Sequence, residues 1–208
     1  MESKDSSDAS GQSQARAIEL FNHGLEQSCV VLSEMTQKKT NITVVALDRL
    51  PRAEAFNTLC GSNQVAVAQA FQGDSPGMVL LHGEAYHYLQ AMTGVVTKTD
   101  FAVALDNDII CELGNIILNG ILRTVSIFSQ NRMNCSPPNR LSVELVRRFF
   151  SGSGTYKSDV FSFDMDFSWI EEGINFSTPL KIQLHFATSS GLNDWEKQVY
   201  GPKGTDGG

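Results

Sequence analysis

A carboxylate and a carboxamide lie three residues apart at two places in this chain, Glu112 with Asn115 and Glu19 with Asn22. At about 100° per residue, side chains three apart lie about 60° from each other around a helix, so each pair shares a face. Asp108 and Asn119 fall in the same arc as Glu112 and Asn115, and Arg123 lies nearby. A carboxamide both donates and accepts hydrogen bonds, so it can hold a water or a partner group in a fixed orientation. Polar groups on a helix face are common and usually only face solvent. Asparagine, however, is a poor mid-helix residue where lysine, glutamate or alanine would serve better. The recurrence of Glu-x-x-Asn is a second reason to expect this face to meet a partner.

The other residue types that carry chemistry are scattered. Cys29, Cys60, Cys111 and Cys135 form no close pair of the kind that metal or redox sites need. His82 and His87 are five apart, outside any paired metal-binding motif, so they read as core or surface histidines. The Ser151-Gly-Ser-Gly-Thr155 run lacks the lysine of a phosphate loop. Asp164 and Asp166 share a strand face that solvent explains, and Ser33 and Ser126 have no visible His/Asp partners. No cofactor is implied. A net charge of −7 over 208 residues argues against nucleic acid, which demands a concentrated basic surface. The expected partner is a protein. No signal-like apolar segment or run of about 18 apolar residues stands out, so a cytoplasmic location is expected, with no membrane. The sequons at Asn41, Asn134 and Asn175 then carry no weight.

The elements that must position these residues can be read in order. Residues 1–13 are polar and small, which predicts a disordered tail. Helical periodicity runs from Gln14 to about Lys39, with Ile18, Leu20, Phe21, Leu25, Val31, Leu32 and Met35 on one face and Glu19, Asn22, His23 and Glu26 on the other. Ile42 to Leu47 reads as a strand before a loop around Pro51, and Gln64–Phe71 and Met78–His82 as a strand pair. A short helix is expected over Glu84–Met92, then the long one from about Asp106, with Leu113, Ile117 and Ile121 inward. Pro137-Pro138 breaks the chain. Leu141–Phe150 fits helix and strand equally poorly. Strict alternation over Asp159–Trp169 and Leu180–Phe186 predicts a hairpin through Glu172-Gly173, and the tail from about Asn193 reads as loose.

The two long helices align without gaps. Glu19, Leu20, Asn22, Leu25 and Ser33 match Glu112, Leu113, Asn115, Leu118 and Ser126 at a constant offset of 93 residues (112 − 19). Strands follow each helix, which predicts an internal duplication with halves at about 14–95 and 106–190 inside one domain of residues 14–192. The expected class is α+β, a pseudo-twofold domain with two long helices on a largely antiparallel sheet.

Asp108-x3-Glu112-x2-Asn115-x22-Pro138, in the context ELGNIILNGIL, resembles the signature of the CheC/CheX family of chemotaxis phosphatases. The resemblance spans roughly Gln14 to Ala187. It implies a CheC-like fold and dephosphorylation of the aspartyl-phosphate of a CheY-type response regulator, a hydrolase acting in two-component signalling. Under it, Asn115 holds the attacking water, Glu112 pairs with the receiver's lysine, Asp108 adds to docking or simply caps the helix start, Asn119 has a supporting or docking place, and Pro138 is structural. Mg²⁺ belongs to the partner receiver, with no cofactor on this chain. The family's repertoire adds a homodimer and a CheD-like deamidase as partners. Glu19 and Asn22 keep the pair in the first half, as a second site or a relic. Ala15 stands there where Asp or Ser is expected, Val45 in place of the proline and Phe21 in place of Gly114. The alternatives are a receiver-binding module without hydrolysis and a flagellar-switch-like scaffold. Glu112 and Asn115 being both present, and the lack of a second domain after about residue 190, disfavour the scaffold.

Overall fold

A computed structural model describes residues 5–59, 64–84, 107–130, 132–141, 145 and 159–200. Helix α1 (Asp5–Thr36) leads into β1 (Lys39–Leu50), α2 (Arg52–Leu59), β2 (Gln64–Gln72) and β3 (Gly77–Glu84). Helix α3 (Asn107–Ser129) is followed by β4 (Asn134–Cys135), β5 (Asn139–Leu141), β6 (Val160–Glu171), β7 (Ile174–Phe186) and α4 (Ser189–Tyr200). The strands form one seven-stranded sheet in the order β1-β6-β7-β3-β2-β4, with β5 also on β2, and every pairing is antiparallel. The expected α+β class is the one found.

The strand order is pseudo-twofold. If β1 is exchanged with β4/β5, β2 with β6 and β3 with β7, the same order reads backwards. Each half also hands its edge strand to the other half, since β1 pairs with β6 and β4/β5 pair with β2. The pseudo-twofold arrangement is therefore interlocked rather than side by side.

One face of the sheet carries α1 and α3, and the alternation of the strands supplies the core beneath them. Phe161, Phe163, Met165, Phe167 and Trp169 of β6 and Leu180, Ile182, Leu184 and Phe186 of β7 are buried there. Phe21 packs into this layer, with ring centroids 4.7 Å from Phe163 and 5.9 Å from Trp195. The two helices run antiparallel across small residues. Ser28 Oγ donates to the carbonyl of Ile116 at 2.8 Å, and a Cβ on Gly120 would sit 2.6 Å from Ser28 Oγ. Where backbones approach this closely, any larger side chain would push the helices apart. Cys111–Ser129 is long and apolar enough to cross a membrane by composition, but half of that window is buried inside this domain.

Four expectations are corrected. Helix α1 begins at Asp5, not near Gln14, because a helix already nucleated on its buried face extends at small cost per residue. The loop expected after Pro51 is α2, where the proline sits just ahead of the first turn, a position that tolerates a missing N–H. Of the tail expected to be loose from Asn193, the part up to Tyr200 belongs to α4, which buries Leu192 and Trp195 against the core, and residues 201–208 lie outside the described residues. Trp195 ring centroids lie 5.5 Å from Phe128 and 5.9 Å from Phe161, so this helix closes the aromatic layer. The hairpin extends beyond the expected strands, turning through Glu172 and Gly173 with φ of 50° and 81°, as a type I′ turn requires. The helix expected over Glu84–Met92 and most of Leu141–Phe150 lie outside the described residues.

The opposite face of the sheet carries α2 and a polar cluster. Gln183 Nε2 donates to the Ala55 carbonyl at 2.9 Å and to Thr58 Oγ1 at 2.8 Å, and His185 Nε2 lies 3.2 Å from Gln183 Oε1. Burial, with Arg52 and His82 nearby, lowers the pKa of His185 to about 3. Burial and the Lys181 cation lower that of His82 to about 4. Both are neutral in the fold, whereas in the unfolded chain they take up a proton near the ordinary value of about 6.5. The unfolded state therefore binds more protons between about 6.5 and 4. Stability is complete above that window and falls as the pH drops through it, by on the order of 2–3 kcal/mol per histidine. Urea midpoints measured from pH 8 to pH 4 should show this loss, and His185→Gln should flatten it. Parallel curves for the two proteins would refute the assignment.

Candidate functional site

Helix α3 presents Glu112 exposed, Asn115 half-buried and Asn119 exposed, while Leu113, Ile117, Leu118 and Ile121 are buried beneath. The helix lies low on the sheet because Gly114 rests on β2, where a Cβ would come within 2.7 Å of Val67 Cγ1. That close seating brings Asn115 and Asn119 down to the edge formed by β2, β4 and β5. Asp108 lies in the first turn of α3, on the helix that also carries Glu112. Pro138 is half-buried between β4 and β5, at the edge of β2.

The amide of Asn115 is held from one side. Asn119 Nδ2 donates to Asn115 Oδ1 at 3.0 Å, and Gln69 Nε2 approaches Asn119 Oδ1 at 3.4 Å. Gln69 Nε2 also donates to the Ser136 carbonyl at 3.0 Å. Ser136 is itself clamped to β2, its N–H donating to the Ala70 carbonyl at 2.9 Å and its Oγ accepting from the Ala70 N–H at 3.1 Å. The structure therefore joins Asn115 and Asn119 to Ser136, just before Pro137-Pro138 and 21 and 17 residues away in sequence (136 − 115 and 136 − 119). Among the described residues the Asn115 Nδ2 hydrogens have no acceptor. An amide with its oxygen anchored and its nitrogen free, one turn from an exposed carboxylate, can hold a small polar species against an incoming surface.

The first helix places the corresponding residues differently. Glu19 is exposed and Asn22 half-buried, in a groove of about 760 Å³ between α1 and β1. Both ends of the Asn22 amide are engaged by the edge strand. Its Oδ1 accepts from the Val44 N–H at 2.6 Å and its Nδ2 donates to the Val44 carbonyl at 3.2 Å. The pairing of β1 with β6 shifts at this point, leaving Val45 between Val44 and Ala46 and 53% exposed. Phe21 points into the core, as its helical position implied, and does not cover the Glu19 face. Ninety-three residues on from Val44 stands Pro137, which has no N–H to give.

Gln69, and the backbone partner that holds Asn22, escaped the sequence reading. Gln69 was detectable, being the one polar residue among Val67 and Phe71 on the inward face of β2. The capture of Asn22 by a backbone amide left no side-chain signal. Among the described residues Cys29 and Cys111 are half-buried and Cys135 is exposed, and burial raises the pKa of Cys29; Cys60 lies outside the described residues.

No family model matches the chain, and no curated protein matches it. Solved structures do. FliY from Thermotoga maritima matches with a TM-score of 0.64 at 15% identity, over 90% of this chain and 96% of that one. The FliM middle domain from Vibrio alginolyticus gives 0.56 at 12%, over 86% and 99% of the two chains. The FliG–FliM complex from H. pylori gives 0.56 at 10%, over 91% and 98%. CheX and CheC-like structures also match, at TM-scores of 0.45 to 0.47, too distant to carry an argument. At these identities the likeness is one of fold. The chain has the fold of the FliY and FliM structures.

Proposed function

We propose that this protein is a phosphatase for the aspartyl-phosphate of a CheY-type response regulator, with Asn115 and Glu112 as its site. The observation that carries the proposal is the half-buried Asn115 amide, anchored through Oδ1 and open at Nδ2, beside exposed Glu112 on one rigid helix. An acyl phosphate on a receiver lacks only an oriented, in-line water, because phosphoryl transfer is chiefly a matter of positioning and electrostatics. Asn115 holds that water by donating to it from Nδ2, with no proton transfer of its own. Glu112 pairs with the receiver's lysine and sets the register of docking. The receiver's Mg²⁺, when bound there, neutralises the phosphoryl oxygens; this chain needs no metal. Reaction and partner both belong to the cytoplasm.

The first half carries no second active copy on this reading. Asn22 has spent both ends of its amide on Val44, so it serves as a latch between α1 and β1.

The test is the decay of a phosphorylated CheY-type receiver with and without the protein. Acceleration supports the phosphatase, and binding with unchanged decay would select a non-catalytic module or scaffold. Glu112 is exposed, so its reversal leaves the fold intact. Glu112→Lys should weaken receiver binding by roughly tenfold or more, about 1.4 kcal/mol, because a like charge then faces the receiver's lysine. Titration calorimetry that returned the same Kd for both proteins would remove Glu112 from the docking surface.

A further inference from the structure

We propose that Gln69 is a positioning residue for the site, setting which end of the Asn115 amide faces the partner. The inference rests on the phosphatase reading and adds to it a residue outside the helix. It starts from a group whose polarity is fixed by covalent chemistry. The Ser136 carbonyl can only accept, so the Gln69 atom 3.0 Å from it must be the nitrogen. The same nitrogen faces Asn119 Oδ1 at 3.4 Å, which turns the Asn119 nitrogen the other way, towards Asn115. Asn119 Nδ2 then donates to Asn115 Oδ1 at 3.0 Å. Each amide in the series is handed its orientation by the one before it, and the last is left with its donors outward.

An isolated asparagine amide has no such preference. Its two ends are nearly the same size, so a half-turn about χ2 costs little unless the hydrogen bonds differ. Gln69 makes them differ, at a cost to the fold. It is 3% exposed on an otherwise apolar strand face, and its buried Oε1 has no hydrogen-bond partner among the described residues. Burying an unsatisfied carbonyl is unfavourable, and a leucine there would incur no such penalty. The residue is better explained by its two donors than by packing.

The distant proline segment acquires a reason as well. Ser136 precedes Pro137, and a residue before proline is held to extended backbone, which keeps its carbonyl aimed at Gln69. The first half shows the alternative. There the Val44 N–H orients Asn22 directly and takes its oxygen, while the Val44 carbonyl takes its nitrogen. With Pro137 at the matching position, orientation passes to a side-chain relay that uses only the oxygen of Asn115.

The experiment uses the full chain and a CheY-type receiver, phosphorylated with acetyl phosphate, that the wild-type protein dephosphorylates. Gln69→Met keeps the volume and removes both donors. Gln69→Glu keeps the shape and presents an acceptor to Asn119, which turns Asn119 and then Asn115 around. Asn119→Leu removes the last donor from an exposed position, where folding is not at risk. Maximal dephosphorylation rate, receiver Kd and melting temperature are measured for each. The expected result is a rate about tenfold lower in all three, with Kd within about twofold of wild type. A wild-type rate in folded Gln69→Met or in Asn119→Leu overturns the relay. Asn115→Ala is run beside them: if it too keeps the wild-type rate, the phosphatase reading itself has failed. If it alone is slow, only the relay has.

Discussion

Asn115→Ala is expected to slow receiver dephosphorylation about a hundredfold while leaving receiver binding nearly unchanged. That factor corresponds to roughly 2.7 kcal/mol of barrier, the scale expected when a positioned water loses its holder. Stability should hardly move, because Asn115 is half-buried and, among the described residues, its side chain bonds only to its neighbour Asn119 on the same helix. The matching change in the first half should behave in the opposite way. Asn22→Ala breaks two hydrogen bonds to Val44, so it should lower the melting temperature and spare the rate. Melting curves and single-turnover decays of both variants separate the two roles. A fast Asn115→Ala would defeat the mechanism, and a slow but stable Asn22→Ala would restore a second site.

The largest expected effect on stability comes from Phe21. Its side chain is fully buried and meets rings from three elements: Phe163 of β6, Phe128 of α3 and Trp195 of α4, at centroid distances of 4.7, 6.0 and 5.9 Å. Phe21→Ala leaves a cavity that these rings cannot all collapse into, and should cost about 3–5 kcal/mol. Equilibrium urea unfolding measures it directly. A loss under about 1 kcal/mol would mean that the aromatic layer repacks freely around the gap. Phe21 matches Gly114 at the repeat offset, so the two halves fill their cores unequally. In the first the helix stands over a large ring; in the second it settles onto Val67.

Much of this could be read from residues alone, for identifiable reasons. The hairpin was legible because strict alternation in β6 and β7 has one explanation, a sheet with one apolar face. Helix α3 was legible because Leu113, Ile117 and Ile121 recur at helical spacing, and the repeat because five residues kept their places in both long helices. Helices α2 and α4 were not, being 8 and 12 residues long with too few apolar positions for a period to show. The order of the strands was hidden because β1 finds its partner more than a hundred residues away. For the site, the face of Glu112 and Asn115 was apparent, but its asymmetry with Glu19 and Asn22 was not. That difference turns on a backbone N–H present at Val44 and missing at Pro137, which side-chain patterns do not display.

The exchange of edge strands between the halves also has a consequence in time. During synthesis, β1 emerges early but cannot pair until β6 has been made, and β2 must wait for β4 and β5 on one side. Loop closure over such distances has to be met before the contacts reward it, so folding should be slow for a chain of this size. Each half by itself would leave an edge strand without its partner, so neither half should fold alone. A single ancestral half would have had to borrow its edge strand from a second copy of itself. Within the single chain the two halves are unequal, one keeping its amide open and the other tying it down.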